Sequence, residues 1–330
     1  MTPRRSAATL QARVSPAPAT VVVALGGNAL APPGRRVGIA DQFRHTRESL
    51  GAVVELAAEG WRIAIVHGNG PQVGDELDRN ERAAEHVEPL PLGVLVAATA
   101  GWIGYMIQQS LQNALRRAGI ARDVLTIITQ TVVDRAALAG ARPEKPIGHA
   151  LEPAQRDRLR ARGVAVGPDA AGRWRRLALT PPPRDIVEAG EVKRLVEEGK
   201  IVVAAGGGGP PVYHDPALGW EGVDAVVDKD RVAAILAARL GADTLLLLTD
   251  VDGVYRDWGS DAAARIARLD LAAAARLLAD GTLGEGMRPK VEAAVQFVRE
   301  GGERAVIAHL SQGPAALRGE TGTTIVGSST

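Results

Sequence analysis

The sequence contains no cysteine. That excludes disulfides, thiolate nucleophiles and cysteine-ligated metals, and a reducing cytoplasm fits it. Aromatic residues make up only 3% of the chain, so no stacking platform for nucleic-acid bases is expected. The formal net charge is +1 over 330 residues, which gives nucleic acid or an anionic membrane surface little to bind. Familiar catalytic signatures are missing as well. There is no GxxxxGK[ST] loop, no GxGxxG opening a helix after the first strand, no HExxH and no GxSxG. The six histidines show no metal-ligand spacing. Residues 1–20 are polar, lack the hydrophobic centre of a signal peptide and read as a disordered tail. Residues 90–109 carry no charge. Pro91, Gly93, Thr99, Gly101 and Gly104 leave them too weakly apolar for a membrane span, so they read as a buried helix near a subunit contact.

What is present is a strand that ends in glycine. Val21–Leu25 is apolar without alternation, the pattern of a strand buried on both faces, and Gly26-Gly27-Asn28 follows it. By itself this is either an ordinary strand-to-helix turn or an anion cradle. The pattern returns twice. Arg62–Val66 runs into Gly68-Asn69-Gly70, and Ile201–Ala205 runs into Gly206–Gly209. In a parallel sheet all three loops lie at one edge and present backbone N–H groups suited to phosphate.

Helical spacing predicts helices over 42–59, 75–84, 92–118, 188–198, 229–240, 271–279 and 290–299. Further strands are predicted at 124–128, 244–248, 304–308 and 323–326. This alternation means an α/β fold, an open, mainly parallel sheet sandwiched by helices. Residues 135–184, rich in proline and arginine, interrupt the rhythm and read as a small inserted subdomain. Arg156, Arg158, Arg160 and Arg162 within it read as a solvated face.

The chain has only five lysines, at 145, 193, 200, 229 and 290, against abundant arginine. A lysine is a compact charge that can follow a phosphoryl group. Lys193 and Lys200 flank a helix end and read as surface residues. Lys229, between Asp228 and Asp230, is either a surface ion pair or a phosphate ligand. Lys290 sits at a helix start, where the dipole disfavours a cation unless an anion lies nearby. His67 reads as a structural hydrogen-bonding residue rather than a base.

The motifs together resemble those of carbamate kinases, within the amino acid kinase fold. They are ALGGNAL at 24–30, HGNGPQVG at 67–74, GWIGY at 101–105, KPIG at 145–148, WRR at 174–176, AGGGGPPV at 205–212, VVDKD at 226–230, LLTDVDGVY at 247–255 and PKVEAA at 289–294. The resemblance implies a homodimer acting on small molecules: reversible phosphoryl transfer between ATP and carbamate, in arginine or carbamoyl phosphate catabolism. It implies an acceptor-binding half over about 21–200 and a nucleotide-binding half over about 201–330. Gly26, Gly27, Asn28, Gly68, Asn69 and Gly70 would hold carbamate and the phosphoryl group. Lys145, at the base of the protruding insert, Lys229, Lys290 and Asp230 would form the catalytic set. Gly207, Gly208, Thr249, Asp250, Val251, Tyr255, Met287, Pro289 and Lys290 would bind ATP or ADP, with Mg²⁺ carried by the phosphates and no metal site in the protein.

Two departures from the family pattern stand out. Ala98-Thr99-Ala100 replaces the usual Met-Ser-Gln before GWIGY, and Glu285-Gly286-Met287 replaces the usual Gly-Ser-Met. Either leaves room for an amino acid kinase with another small carboxylate or phosphonate acceptor. A non-catalytic nucleotide-binding protein is disfavoured because Lys145, Lys229, Asp230 and Lys290 are all present. The uncharged stretch at 90–109 predicts a two-fold dimer. Light scattering at micromolar concentration should give twice the chain mass, and a monomer would contradict the assignment.

Overall fold

The computed structural model describes residues 18–27, 30, 37–284 and 286–327. Eight strands form the main sheet: β1 (Thr20–Leu25), β2 (Arg62–His67), β3 (Val124–Thr126), β4 (Ile201–Val203), β5 (Thr244–Thr249), β6 (Arg268–Asp270), β7 (Arg304–His309) and β8 (Thr323–Val326). Their spatial order is β6-β8-β7-β5-β1-β2-β4-β3. Every neighbouring pair is parallel except β7 and β8. Strand β1 lies in the middle, with Val23 opposite Leu246 of β5 and Ile65 of β2.

All six residues of β1 are buried because each face of the sheet carries its own helical layer. Val22 and Ala24 join a core with Leu247, Val232, Leu236 and Phe297. Val21, Val23 and Leu25 join a second core with Leu246, Ile103 and Met106. Burying each such aliphatic side chain stabilises the fold by roughly 1.5–3 kcal/mol, which is why a continuous apolar run is tolerated here. Thr20 belongs to β1, its N–H bonded to Asp243 Oδ2 at 2.6 Å, so the polar leader stops short of residue 20. Residues 1–17 lie outside the described part.

Six helices matter for the site: α1 (Ile39–Ser49), α2 (Gly51–Ala58), α3 (Gly70–Ala83), α4 (Leu92–Arg117), α5 (Lys229–Leu240) and α6 (Arg288–Arg299). Two differ from the periodicity. The helix expected over 42–59 is two helices, because Leu50 closes the first and its carbonyl accepts from Val53 and Val54 at the start of the second. The helix expected from residue 75 begins at Gly70, with Pro71 in its first turn, where a missing N–H costs nothing. Helix α4 puts Ile103, Met106 and Ile107 into the core and leaves Val94 and Tyr105 exposed. Among the described residues, no helix is long and apolar enough to cross a membrane.

The stretch 135–184 carries its own three-stranded antiparallel sheet, Lys145–Ile147 and Val166–Pro168 flanking Trp174–Ala178, with helix Pro153–Ala161. At its base, Thr131–Val133 pairs with Pro183–Ile186, in a sheet that also takes in Pro211–Asp215 and Gly219–Gly222. The arginine run of this insert is largely solvated: Arg158, Arg160 and Arg162 are exposed and Arg156 is half-buried. Arg156 and Arg160 stack on Trp174 at 5.3 and 5.1 Å.

Leu246 is fully buried at the centre of β5. Leu246→Ala should lower the stability read by urea unfolding by about 2–5 kcal/mol, the usual range for a cavity of this kind.

Candidate active site

Strands β1, β2 and β4 are neighbours and parallel, so their three glycine loops emerge side by side. They touch closely. Gly68 N–H donates to the Leu25 carbonyl at 3.0 Å, and a Cβ on Gly68 would lie 2.7 Å from the Gly27 nitrogen. At Gly207 φ is +67°, and a Cβ would lie 2.1 Å from Asn69 Nδ2. Glycine is therefore required at both places by close approach, and at 207 by conformation too. Asn69 is itself fixed: Nδ2 donates to Thr99 Oγ1 at 2.9 Å, and that hydroxyl donates to the Leu95 carbonyl at 2.8 Å. The departure at 98–100 thus keeps a hydroxyl that holds Asn69. Because α3 starts at Gly70, the second loop is also a helix N-terminus, whose first N–H groups have no acceptor within the helix.

The cations come from two other helix starts. Asp228 caps α5, its Oδ1 accepting from the N–H groups of Asp230 at 3.0 Å and Arg231 at 3.2 Å. That cap fixes the first turn, where Lys229 and Asp230 sit. Lys290 lies in the first turn of α6. Both lysines donate to one carboxylate: Lys229 Nζ to Asp230 Oδ1 at 2.6 Å, and Lys290 Nζ to Asp230 Oδ2 at 3.0 Å. Asp230 is 5% exposed. Burial alone would raise its pKa, but the two ammonium groups outweigh that and hold it at about 2. Burial lowers the pKa of Lys229, an effect that Lys290 reinforces and Asp230 opposes. Two cations, one anion and two positive helix ends leave the spot electropositive. The anion required beside Lys290 is Asp230.

Two cavities meet at this point. The first, about 670 Å³, is lined by Gly27, Gly68, Asn69 and Gly70, by Lys229 and Asp230, and by Lys145 from the insert. The second, about 440 Å³, is lined by Gly26 and Gly27, by Lys229 and Lys290, and by Thr249, Asp250, Val251, Tyr255 and Met287. Gly27 and Lys229 belong to both. Gly207 lines the first cavity, not the second, and Gly208 packs against Val227 and lines neither. Pro289 lies in the first turn of α6 without lining the second cavity. Asn28 and Glu285 lie outside the described residues.

Several site residues escaped the sequence reading. Trp258, Leu283 and Leu310 give the second cavity an apolar wall, and Tyr255 meets Trp258 edge-on at 5.0 Å. In the first cavity His149 Nε2 lies 2.8 Å from Asp75 Oδ1, joining the insert to α3, and Lys145 Nζ is 3.6 Å from Asp228 Oδ2. The cap role of Asp228 was readable, because an aspartate just before an apolar-periodic run marks a helix start. Nothing local marks Trp258 or His149, which reach their cavities through tertiary contacts.

An electropositive point between two cavities, fed by three glycine loops at one sheet edge, is an arrangement for holding two anions end to end. The family profile described as "Amino acid kinase family" matches residues 19–309. The chain belongs to the amino acid kinase family. It is 40% identical over 312 residues to the carbamate kinase of Pyrococcus horikoshii, covering 93% of this chain and 99% of that protein. Against the carbamate kinase of Halobacterium salinarum the identity is 43% over 310 residues, covering 92% and 97%. The structure of carbamate kinase from Giardia lamblia bound to AMP-PNP superposes with a TM-score of 0.87 at 32% identity, covering 94% of this chain and 99% of that one. This member of the family is an ATP-dependent phosphotransferase, similar over nearly its whole length to carbamate kinases.

His67, at the end of β2, is fully buried. Burial pushes its pKa from 6.5 down to about 4, against the Gly68 and Ala100 backbone groups that favour the charged ring, with Lys229 adding to the depression. Between those two pH values the unfolded chain binds a proton that the folded protein does not. Stability should therefore fall as pH drops from about 6.5 to about 4, by roughly 3 kcal/mol in all. Urea unfolding across that range should show the slope, and His67→Asn should flatten it.

Proposed function

We infer that this chain is a carbamate kinase, transferring a phosphoryl group reversibly between ATP and carbamate. The observation that carries the reading is the sharing of Gly27 and Lys229 by two cavities, beside the Lys229–Asp230–Lys290 cluster. The cavity lined by Gly68, Asn69, Gly70 and Lys145 suits the acceptor. The cavity with the apolar wall suits the nucleotide base, with Lys290 on its phosphates. On this reading residues 21–200 carry the acceptor half, residues 201–330 the nucleotide half, and the insert covers the acceptor. A homodimer is part of the same reading, with the exposed Val94 and Tyr105 of α4 available to it. A chain without cysteine that acts on soluble metabolites suits the cytoplasm.

The chemistry follows from charge. A carbamate oxygen attacks the γ-phosphorus, the bond from that phosphorus to the β-bridging oxygen breaks, and ADP leaves with the electron pair. Carbamate is already an anion, so no general base is required; His67 is buried and both oxygens of Asp230 are bound by lysines. The task is to hold two anions together. At 4 Å two unit charges repel by about 4 kcal/mol at an effective dielectric of 20. Lys145, Lys229, Lys290 and the N–H groups of the glycine loops oppose that repulsion, most strongly where charge gathers in flight.

Mg²⁺ is the expected companion of the nucleotide. Asp230 and Asp228 are both engaged by protein groups, which suits a metal carried by the phosphates. Asp230 is saturated by two lysines, and Asp228 caps α5 and faces Lys145. When bound, the ion would neutralise part of the phosphate charge.

Lys229→Ala should lower kcat for ATP formation from ADP and carbamoyl phosphate by about a hundredfold or more, as loss of one preorganised donor does elsewhere. Lys290→Ala should lower kcat and also raise KM for ADP. Lys200→Ala, at a surface pair with Asp123, is the control and should match the wild type. Full carbamoyl-phosphate-dependent ATP synthesis by Lys229→Ala would refute the assignment, and a substrate panel read by ADP release would expose a different acceptor.

A further inference from the structure

His67 is a buried polar ring that the transfer chemistry leaves without a task. It stands at the end of β2, next to the loop that lines the acceptor cavity, and it is completely shielded from solvent. Its Nδ1 lies 3.0 Å from the Gly68 carbonyl oxygen. Its Nε2 has no hydrogen-bond partner among the described residues. The space on that side is closed, since a Cβ on Gly206 would lie 2.5 Å from Nε2 and 2.9 Å from the Ala100 Cβ.

A carbonyl oxygen can only accept, so Nδ1 must carry the proton. With the proton on Nε2 instead, the lone pairs of Nδ1 and of the Gly68 oxygen would face each other across 3.0 Å. The bond therefore selects one neutral tautomer. It also fixes a peptide plane. In a trans peptide the C=O and the following N–H point in opposite directions. With the Gly68 oxygen turned to the imidazole, the Asn69 N–H is turned away from it, and Gly68 and Asn69 both line the first cavity. This peptide needs an anchor because glycine, with no Cβ, gives the plane little resistance to flipping. The flip would put a carbonyl oxygen where the acceptor anion needs a donor.

We propose that His67 is a positioning residue, whose Nδ1–H bond to the Gly68 carbonyl holds the Asn69 N–H toward the acceptor anion. The role rests on the carbamate kinase reading and concerns the acceptor half only. Asparagine can place an amide N–H where Nδ1 stands, whereas glutamine reaches the Nε2 position.

The experiment measures His67→Asn, His67→Gln and His67→Ala in the ATP-forming assay with ADP and carbamoyl phosphate, with ADP binding followed calorimetrically. His67→Asn should stay within about fivefold of the wild-type kcat/KM for carbamoyl phosphate. His67→Gln and His67→Ala should lose tenfold or more, with ADP affinity unchanged in all three. Equal losses in the asparagine and glutamine variants, or none in any, would overturn the proposal. Long-range ¹⁵N–¹H correlation on the histidine-labelled wild-type protein keeps the question decidable if a variant fails to fold. It should show the neutral Nδ1–H tautomer, and an Nε2–H tautomer would overturn the proposal. A wild-type protein inactive with carbamoyl phosphate would instead count against the function, leaving the tautomer to be read from the spectrum.

Discussion

One carboxylate between two ammonium groups sets the terms for the rest of the molecule. Asp230 is buried, and a buried carboxylate without partners would give up its charge. Two partly buried ammonium groups without Asp230 would repel each other. Neither half of the cluster is stable without the other, so the fold has to deliver both helix starts to one place. It does so with α5 and α6, which lie about 60 residues apart in sequence and are tied a second time by Arg231 to Glu292 at 2.7 Å. Because the lysines outnumber the carboxylate, the balance stays positive at the point where the two cavities join.

The glycine loops supply what side chains cannot. They bring N–H groups within reach of small anions from several directions, and they pack so closely that Gly68 and Gly207 admit no Cβ. Such packing needs support behind it. Thr99 holds Asn69, and Ala205 accepts a left-handed conformation at φ 50°, its N–H bonded to Thr129 Oγ1. Strain of this kind persists where surrounding contacts over-determine it. The bed of glycine loops is therefore a product of the layers beneath it, including α4, and not of the loops alone.

Much of this was legible in the sequence. Apolar runs such as 21–25 and 244–248 read as strands because burial on both faces removes the polar alternation, and the structure covers both faces with helices. The scarcity of lysine made Lys229 and Lys290 conspicuous. Less could be read where tertiary contacts decide. The break at Leu50 is invisible to a helical period that runs straight through it. The start of α3 at Gly70 was hidden because glycine and proline usually mark the end of regularity, whereas here they open a helix. The strands at 145–147, 166–168 and 174–178 are short and not markedly apolar, so only their pairing defines them. The contact of His149 with Asp75 spans 74 residues and had no local trace.

Asp228 has two oxygens with separate duties. Oδ1 caps α5, while Oδ2 faces Lys145 of the insert at 3.6 Å. The link to the insert is a loose, half-exposed ion pair, of a kind that contributes at most about 1 kcal/mol. It can be broken without disturbing the cap. At this point the insert is thus joined to the helix start by a contact that can be lost while the cap, and with it the turn that presents Lys229 and Asp230, keeps its shape.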